Sequence, residues 1–277
     1  MSNPRTTPSA SPAAMLAGLW AQRSLIGQMA KREVQLRYRG SFIGMAWSFV
    51  TPILMLVVYT FVFSVVFQAR WGTSENESQV EFAVVLFVGM IIFTLFAETI
   101  NRAPTLILSN VNYVKKVVFP LEILPVVSLV SSLFHAAISF LVLLIAIVFT
   151  TGDLEPSVLF FPLIVLPLLI ATLGAIFLLA SLGVFIRDIG QTVGIITTAM
   201  MFLSPVFYPI SSLPDRLQPF LQLNPLTFVI EQARAALIFG QSPDWSGLFI
   251  YYLVCLLAGY LGFFCFQKLR GGFADVL

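Results

Sequence analysis

Residues Val126–Thr150 read VVSLVSSLFHAAISFLVLLIAIVFT and contain no aspartate, glutamate, lysine or arginine. A helix of roughly 20 apolar residues crosses the hydrocarbon core of a bilayer, which is about 30 Å thick. This run is therefore long enough to span a membrane, and other runs of the chain pass the same test. The six predicted spans are Phe42–Phe67, Phe82–Ile100, Val126–Thr150, Pro162–Ile186, Ile189–Tyr208 and Gly247–Phe266.

The composition agrees with a chain that lies mostly in lipid. Hydrophobic residues make up 58% and charged residues 10% of the 277 positions, against about 45–50% and about 25% in soluble domains. We therefore predict an all-α integral membrane protein. The net charge of +2 gives no reason to expect a nucleic-acid partner.

Few residues of this chain could carry catalysis or bind a metal. His135 is the only histidine, and the two cysteines, Cys255 and Cys265, lie on one apolar run. Ten helical residues separate those thiols by about 15 Å, which is too far for a disulfide. We expect no metal site, no nucleophile–base pair and no enzymatic activity in this chain.

Basic residues are concentrated in alternate connections, and such connections stay in the cytoplasm. We therefore predict both termini inside. Residues 1–14 are rich in Ser, Pro, Thr and Ala, lack the apolar core of a signal peptide, and are expected to be a disordered cytoplasmic tail. The basic residues of the side predicted to be cytoplasmic are Arg5, Arg23, Lys31, Arg32, Arg37, Arg39, Arg102, Lys115, Lys116, Arg187, Lys268 and Arg270, and the opposite loops hold Arg70, Arg216 and Arg234.

The segment before the first span, within residues 15–40, is predicted to be an amphipathic helix in the cytoplasmic interface. Gly40 and Ser41 would then allow a sharp bend into the six-span domain, residues 41–277. The alternative is a basic anchor that only fixes orientation. The predicted apolar side of Met15–Tyr38 carries Leu16, Leu19, Trp20, Ile26, Ala30, Val34 and Tyr38.

The connection Asn101–Pro120 is long for a link between two helices. Its apolar residues recur at helical spacing between polar ones, which predicts a short helix parallel to the membrane that docks on a cytosolic partner. The alternative is an ordinary solvated loop. The apolar positions are Leu106, Ile107, Val111 and Val114.

On the outer side, Pro209–Trp245 is too apolar for a solvated loop, yet its helical pieces are too short to span. Ser212 is predicted to cap one helix, Asn224-Pro225 to form a turn, and Thr227–Phe239 to form a helix that ends before Gly240. We predict two half-helices that re-enter the membrane. Helices lying on the surface are the alternative.

Four stretches resemble a known family. KREVQLRYRGSFIGMAWSFVTP (Lys31–Pro52) is similar to the N-terminal signature of type-2 ATP-binding-cassette exporter permeases for polysaccharides. NYVKKVVFPLEILP (Asn112–Pro125), SPVFYPISSLPDRLQPFLQLNPLTFVIEQAR (Ser204–Arg234) and the final FADVL also resemble that family. The O-antigen and lipid-linked polysaccharide exporters are the nearest members by these motifs, and the teichoic acid permeases are near neighbours.

The resemblance implies a homodimer that works with two copies of a separate nucleotide-binding subunit in the cytoplasmic (inner) membrane. ATP and Mg²⁺ would belong to that subunit, since this chain lacks a Gly-x-x-x-x-Gly-Lys-Ser/Thr loop, and we expect no cofactor here. The substrate would be a polysaccharide on undecaprenyl diphosphate. The coupling residues would be Asn110, Asn112, Tyr113, Lys115 and Lys116, and the outer gate would contain Tyr208, Asn224, Pro225, Glu231 and Arg234.

Four positions are candidates for contact with such a substrate. Arg32, Arg37 and Arg39 would bind the diphosphate, because guanidinium groups bind phosphate oxygens in a bidentate geometry. The rival is that they only enforce orientation, for which lysine would serve. Tyr59 offers a sugar both an aromatic face and a hydroxyl, whereas most phenylalanines are expected to face lipid.

Polar residues within the apolar runs need partners. We expect Glu98 to pair with Arg102 four residues on, and His135 to make a hydrogen bond between helices and not to relay protons. Glu231 and Arg234 are either paired or solvated.

An exporter of a drug or small lipid is an alternative. Ion-coupled transport predicts several paired intramembrane carboxylates, and a membrane glycosyltransferase predicts converging acids and bases.

Overall fold

The computed structural model describes residues 11–66, 79–115 and 119–277, and within these ranges it contains helices and no strands. Short 3₁₀ turns precede or follow several helices, and residues Thr60–Val66 form a π-helical segment. In chain order the α-helices are α1 (Pro12–Ala21), α2 (Arg23–Arg37), α3 (Trp47–Tyr59), α4 (Gln79–Arg102), α5 (Val111–Lys115), α6 (Ile123–Thr151), α7 (Phe161–Phe185), α8 (Ile189–Leu203), α9 (Gln218–Gln222), α10 (Pro225–Leu237), α11 (Trp245–Leu269) and α12 (Phe273–Val276).

Five helical stretches among the described residues are long and apolar enough to cross a membrane. They correspond to the predicted first, second, third, fourth and sixth spans. The first begins at Gly44, because Phe42 lies in the fully exposed bend before it, and residue 67, its predicted end, lies outside the described residues. The stretches are Gly44–Phe63, Phe82–Thr105, Ile123–Thr150, Pro156–Phe185 and Trp245–Val276.

The predicted fifth span, Ile189–Tyr208, is shorter than expected. Helix α8 has 15 residues and ends at Leu203, so it is about 22 Å long against about 30 Å of hydrocarbon. Ser204 is extended (φ −101°, ψ 149°) because it precedes Pro205, whose ring disfavours the helical conformation of the residue before it. A short connection, Ile186–Asp188, joins α7 to α8.

The predicted N-terminal interface helix is two helices, α1 and α2, which are separated at Gln22. Ile26, Ala30 and Val34 of the predicted apolar side are buried, and Ile26 and Ala30 pack on Ile123 and Val127 of α6. Leu16 and Trp20, from the other half of that side, are exposed. Gly40 has a φ of +86°, which glycine adopts without strain, and this residue makes the predicted bend.

Two buried apolar clusters lie along the molecule and meet around α4 and α7. One joins α4, α6, α7 and α10, and the other joins the end of α4 to α7, α11 and Phe273. Helices α7 and α11 approach backbone to backbone, since a Cβ on Gly262 would lie 2.0 Å from the carbonyl oxygen of Gly174. Small residues allow this close packing in membrane proteins, and it makes α7 and α11 a firm support for the other helices.

The segment Pro209–Trp245, which is predicted to lie on the outer side, contains α9 and α10. Helix α10 begins and ends close to the predicted Thr227–Phe239 and is followed by Gly240 at φ +63°. It packs against α4 and α7, and one whole side of it is buried. The predicted cap at Ser212 is wrong: Ser212 lies in a 3₁₀ turn and its hydroxyl donates to the carbonyl of Pro209 at 2.7 Å.

Candidate functional site

A cavity of about 210 Å³ lies between α3, α4 and α6, and the end of α2 borders it. Its lining mixes polar and apolar side chains, which is unusual for the middle of an apolar bundle. The polar lining residues discussed below are Arg37, Tyr59, Glu98, Ser132 and His135. Tyr59 and Arg37, which the sequence analysis considered separately, therefore share one cavity.

The charged side of the cavity joins α2 to the end of α4. Arg37 Nη1 lies 2.5 Å from Glu98 Oε1, whereas Arg102 Nη1 lies 3.9 Å from the same oxygen. The expected pair of Glu98 and Arg102 is thus present, but Arg37 is the closer partner of Glu98, and Arg102 also bonds to Glu33 of α2. Neighbours four residues apart can be read from a sequence, but the contact between Arg37 and Glu98 depends on how α2 folds back.

His135 of α6 contacts Tyr38, the residue next to Arg37. The Tyr38 hydroxyl lies 3.2 Å from His135 Nδ1, which confirms the expected hydrogen bond between helices. The other ring nitrogen, Nε2, and the Ser132 hydroxyl are buried and have no hydrogen-bond partner among the described residues. Both residues line the cavity, and a buried polar atom without a partner costs free energy unless a water or ligand reaches it.

Tyr59 is half-buried at the end of α3, just before the π-helical segment. Pro52 lies inside α3 and also lines the cavity. Since proline has no N–H, the carbonyl of Ser48 lacks its helical donor. The α3 wall of the cavity therefore offers hydrogen-bonding groups of both the backbone and the side chains.

The predicted coupling segment is a series of short turns that ends in α5, and not one helix. Asn112 and Lys115 are exposed, while the Asn110 amide donates to the carbonyl of Leu106 at 2.9 Å. Tyr113 stacks on Phe119 with ring centroids 4.4 Å apart. Lys115 Nζ bonds to the backbone oxygen of Leu277, and Lys116 lies outside the described residues. Asn112 and Lys115 are thus the side chains of the predicted set that a partner can reach.

A second cavity, of about 310 Å³, separates α2 from the coupling segment. Arg32, Arg102, Asn110 and Tyr113 are among its lining residues. Arg32 and Arg39 are exposed. The three predicted phosphate-binding arginines therefore differ, because Arg37 alone pairs with Glu98.

The predicted outer gate residues meet where α8 ends and α10 begins. The Asn224 side chain accepts from the N–H of Leu226 at 3.0 Å and so caps α10, with Pro225 as its first residue. Its amide also donates to the Leu203 carbonyl at 3.1 Å and to the Ser204 hydroxyl at 2.9 Å. The predicted turn at Asn224-Pro225 is therefore a helix start that is tied to the end of α8.

Other contacts hold the same corner together. The Tyr208 hydroxyl donates to the Phe202 carbonyl at 2.8 Å, and the Tyr251 hydroxyl of α11 donates to the Pro225 carbonyl at 2.7 Å. Burial raises the pKa of Glu231 in α10, while Arg234 and the backbone N–H of Ile210 oppose that rise. The last two contacts tie α10 to α11 and to the turn at Ile210.

Arg234 is the central residue of this corner. Its side chain is 2% exposed and donates to the carbonyls of Val85 (3.0 Å), Pro205 (2.5 Å) and Val206 (2.8 Å). Burial lowers its pKa to about 9 and Glu231 opposes the shift, so the guanidinium stays protonated at neutral pH. Arg234 is thus not the solvated charge that one of the two sequence interpretations allowed. No pattern in the sequence indicates its carbonyl partners.

The described residues contain no group of three His, Cys, Asp or Glu side chains that could hold a metal ion. The polar groups of the α3–α4–α6 cavity and of the corner between α8 and α10 cap helices and connect them to one another. They can support recognition and movement of a ligand.

Comparison with known proteins identifies similar sequences. The family model described as ABC-2 type transporter matches residues 24–238. The O-antigen export system permease protein RfbA of Myxococcus xanthus is 28% identical over 260 residues, which cover 93% of this chain and 96% of that protein. A Klebsiella pneumoniae protein of the same name is 24% identical over 256 residues (91% and 95%). The polysialic acid transport protein KpsM of Escherichia coli is 23% identical over 253 residues (89% and 93%).

Proposed function

This chain belongs to the ABC-2 type transporter family, and from that premise we propose that it is the permease subunit of an ATP-driven exporter of lipid-linked polysaccharide. The observation that carries the proposal is the similarity to O-antigen export permeases along 93% of this chain. The apolar helices agree with a subunit that forms the membrane path. We assign ATP hydrolysis to a separate nucleotide-binding subunit, since this chain has no phosphate-binding loop.

The proposed substrate is an O-antigen-type polysaccharide on undecaprenyl diphosphate. A capsule polysaccharide is the second candidate, because the similarity extends to the polysialic acid transport protein at 23% identity. Deletion of this chain from its own cells tests the class of substrate. Lipid-linked polysaccharide should then accumulate on the cytoplasmic face and surface polysaccharide should disappear. Normal surface polysaccharide in the deletion strain would contradict the proposal.

The working protein in this proposal is a homodimer with both termini in the cytoplasm of the cell and six crossings per chain in the inner membrane. Helix α8 and the following turn, Ser204–Tyr208, would together complete the fifth crossing. Helices α9 and α10 would re-enter from the outer face, which is supported by the buried side of α10 and by the strongly exposed Phe220 of α9 and Leu223 directly after it.

The ATPase would dock on the coupling segment, where exposed polar side chains adjoin buried Leu106 and Ile107. A cysteine at Asn112 should cross-link to the nucleotide-binding subunit in isolated membranes. Gln241 is an exposed control position beyond α10, and a cysteine there should not cross-link. Labelling of Asn112→Cys by an impermeant reagent from outside intact cells would show that the topology is wrong.

The diphosphate would contact Arg32, Arg37 and Arg39, with Arg32 and Arg39 as its exposed ligands and Arg37 held by Glu98. Replacing all three with lysine keeps the charge and removes the bidentate geometry. If they recognise the diphosphate, the variant should insert and assemble normally, yet export and substrate-stimulated ATP hydrolysis should fall. Full export would leave only a general need for positive charge in the cytoplasmic interface.

A further inference from the structure

We propose that the cavity between α3, α4 and α6 binds one neutral sugar ring of the exported chain, next to its lipid diphosphate. This inference rests on the proposed function and adds to it a binding site within each single copy of the permease. It assigns a role to Ser132 and His135, which the arginine hypothesis does not use.

The first observation is that polar atoms in the cavity wall lack partners. The Ser132 side chain is 1% exposed, and neither its hydroxyl nor His135 Nε2 has a hydrogen-bond partner among the described residues. In an apolar bundle such atoms are costly unless something fills their hydrogen-bonding capacity. His135 is already fixed at Nδ1 by Tyr38, which orients the second nitrogen. The wall is therefore prepared for a ligand that both donates and accepts.

The second observation is the size of the space. A volume of about 210 Å³ is many times the roughly 10–15 Å³ that one structural water needs. A single six-membered ring with its hydroxyl groups fits, and the aromatic side chain of Tyr59 offers a face for the C–H groups of such a ring.

The third observation is the charge balance, which decides between a sugar and a phosphate. Arg37 is the basic and Glu98 the acidic side chain among the lining residues, and they lie 2.5 Å apart. Their charges cancel, so the cavity has no excess positive charge to attract an anion. The exposed Arg32 and Arg39 lie on the α2 side. An anionic headgroup is thus favoured outside the cavity, and a neutral polyol within it.

The site can be tested on the full-length chain in nanodiscs with methyl glycosides of gluco, galacto and manno configuration as probes. Cys255 and Cys265 are first replaced with alanine, and a reporter cysteine is placed at Met55, which lines the cavity. Met45 supplies the control, since it is 46% exposed like Met55 but does not line the cavity. The measured quantity is the rate of modification by a small thiol reagent at increasing glycoside concentration.

At least one glycoside should slow the modification of Met55→Cys and leave that of Met45→Cys unchanged. Ser132→Ala should raise the half-protecting concentration about three- to tenfold, the effect of one lost hydrogen bond. Ser128→Ala is the matched control, because Ser128 has an equally buried hydroxyl without a partner on the same helix, outside the cavity lining. That variant should behave like the parent protein.

Three results would overturn the proposal: no protection by any of the glycosides, an unchanged half-protecting concentration in Ser132→Ala, or an equal rise of that concentration in Ser128→Ala. The first would mean that the cavity holds only water. None of these results touches the proposed function, because export and ATPase docking are measured separately. Conversely, a chain that binds glycosides but takes no part in surface polysaccharide export would refute the proposed function alone.

Discussion

Replacing Gly89 with alanine should loosen α10 from α4 through Arg234. A Cβ on Gly89 would lie 2.7 Å from Arg234 Nη2, and 3.4 Å from Ile230 Cγ2 and Val206 Cα. The first distance is far inside a normal contact, so the guanidinium must move. The other two are tight but tolerable. The position therefore reports mainly on the hydrogen bonds of Arg234.

The size of the effect follows from those bonds. Nη2 donates to the carbonyl of Val206 at 2.8 Å, and a hydrogen bond to a charged group contributes about 1.5–3 kcal/mol. Losing one such bond should lower the free energy of unfolding by about 2 kcal/mol. Arg234→Met removes three bonds but also relieves the cost of burying a charge. We expect a net loss of about 3 kcal/mol for that variant.

A double-mutant cycle separates the two causes. In the Arg234→Met background, Gly89→Ala should be neutral or slightly stabilising, since alanine is better than glycine within a helix by about 1 kcal/mol. Reversible unfolding in mixed micelles, followed by circular dichroism, measures all four proteins. If Gly89→Ala costs the same in both backgrounds, the residue acts through packing and the reasoning about Arg234 is refuted.

Two further substitutions test the supports of the outer segment and of the coupling segment. Asn224→Asp should keep the cap of α10 and lose the amide bonds to the end of α8. Its unfolding free energy should therefore fall less than that of Asn224→Ala, which also loses about 1 kcal/mol of capping. Equal losses in the two variants would show that one of the two contacts does not contribute to stability. Gly183→Ala would place a Cβ 2.0 Å from the carbonyl oxygen of Pro104, which is a backbone atom and cannot rotate away. The variant should therefore lower the stability of the protein and the cross-linking of the coupling segment to the nucleotide-binding subunit. Gly194→Ala is the control and should change neither, because nothing lies within 4 Å of its Cβ. Unaltered cross-linking in Gly183→Ala would mean that α7 does not hold that segment in place.

The long spans could be predicted because their signal is local. An uninterrupted apolar run such as Val126–Thr150 needs no knowledge of its neighbours to be a helix in a membrane. The same reasoning placed α10 within a few residues and found the bend at Gly40. It overextended the fifth span, because Val206 and Phe207 continue the apolar run past Pro205. Pro205 keeps Ser204 out of the helical conformation, and this local restriction ends α8 before the apolar run ends.

Partners across the fold could not be predicted in this way. The sequence shows that Glu98 needs a cation, and it shows Arg102 four residues away, but the closer cation is Arg37, 61 residues away. Similarly, the spacing of Ile26, Ala30 and Val34 predicts an apolar side and does not reveal whether lipid or α6 covers it. Burial of α2 against Ile123 and Val127 depends on tertiary packing.

The early end of α8 and the burial of Arg234 are two parts of one arrangement. Where Pro205 breaks the helix, the carbonyls of Pro205 and Val206 lose helical donors, and in apolar surroundings a carbonyl must find another. Arg234 donates hydrogen bonds to both of these carbonyls, and its Nε donates to the carbonyl of Val85 in α4 as well. A lysine carries its three N–H donors on one nitrogen and has no planar fork, so it would not match three carbonyls that bond three different guanidinium nitrogens. Arg234 therefore satisfies the carbonyls that follow the end of α8, and it joins α10 to α4 and to the Pro205–Val206 turn.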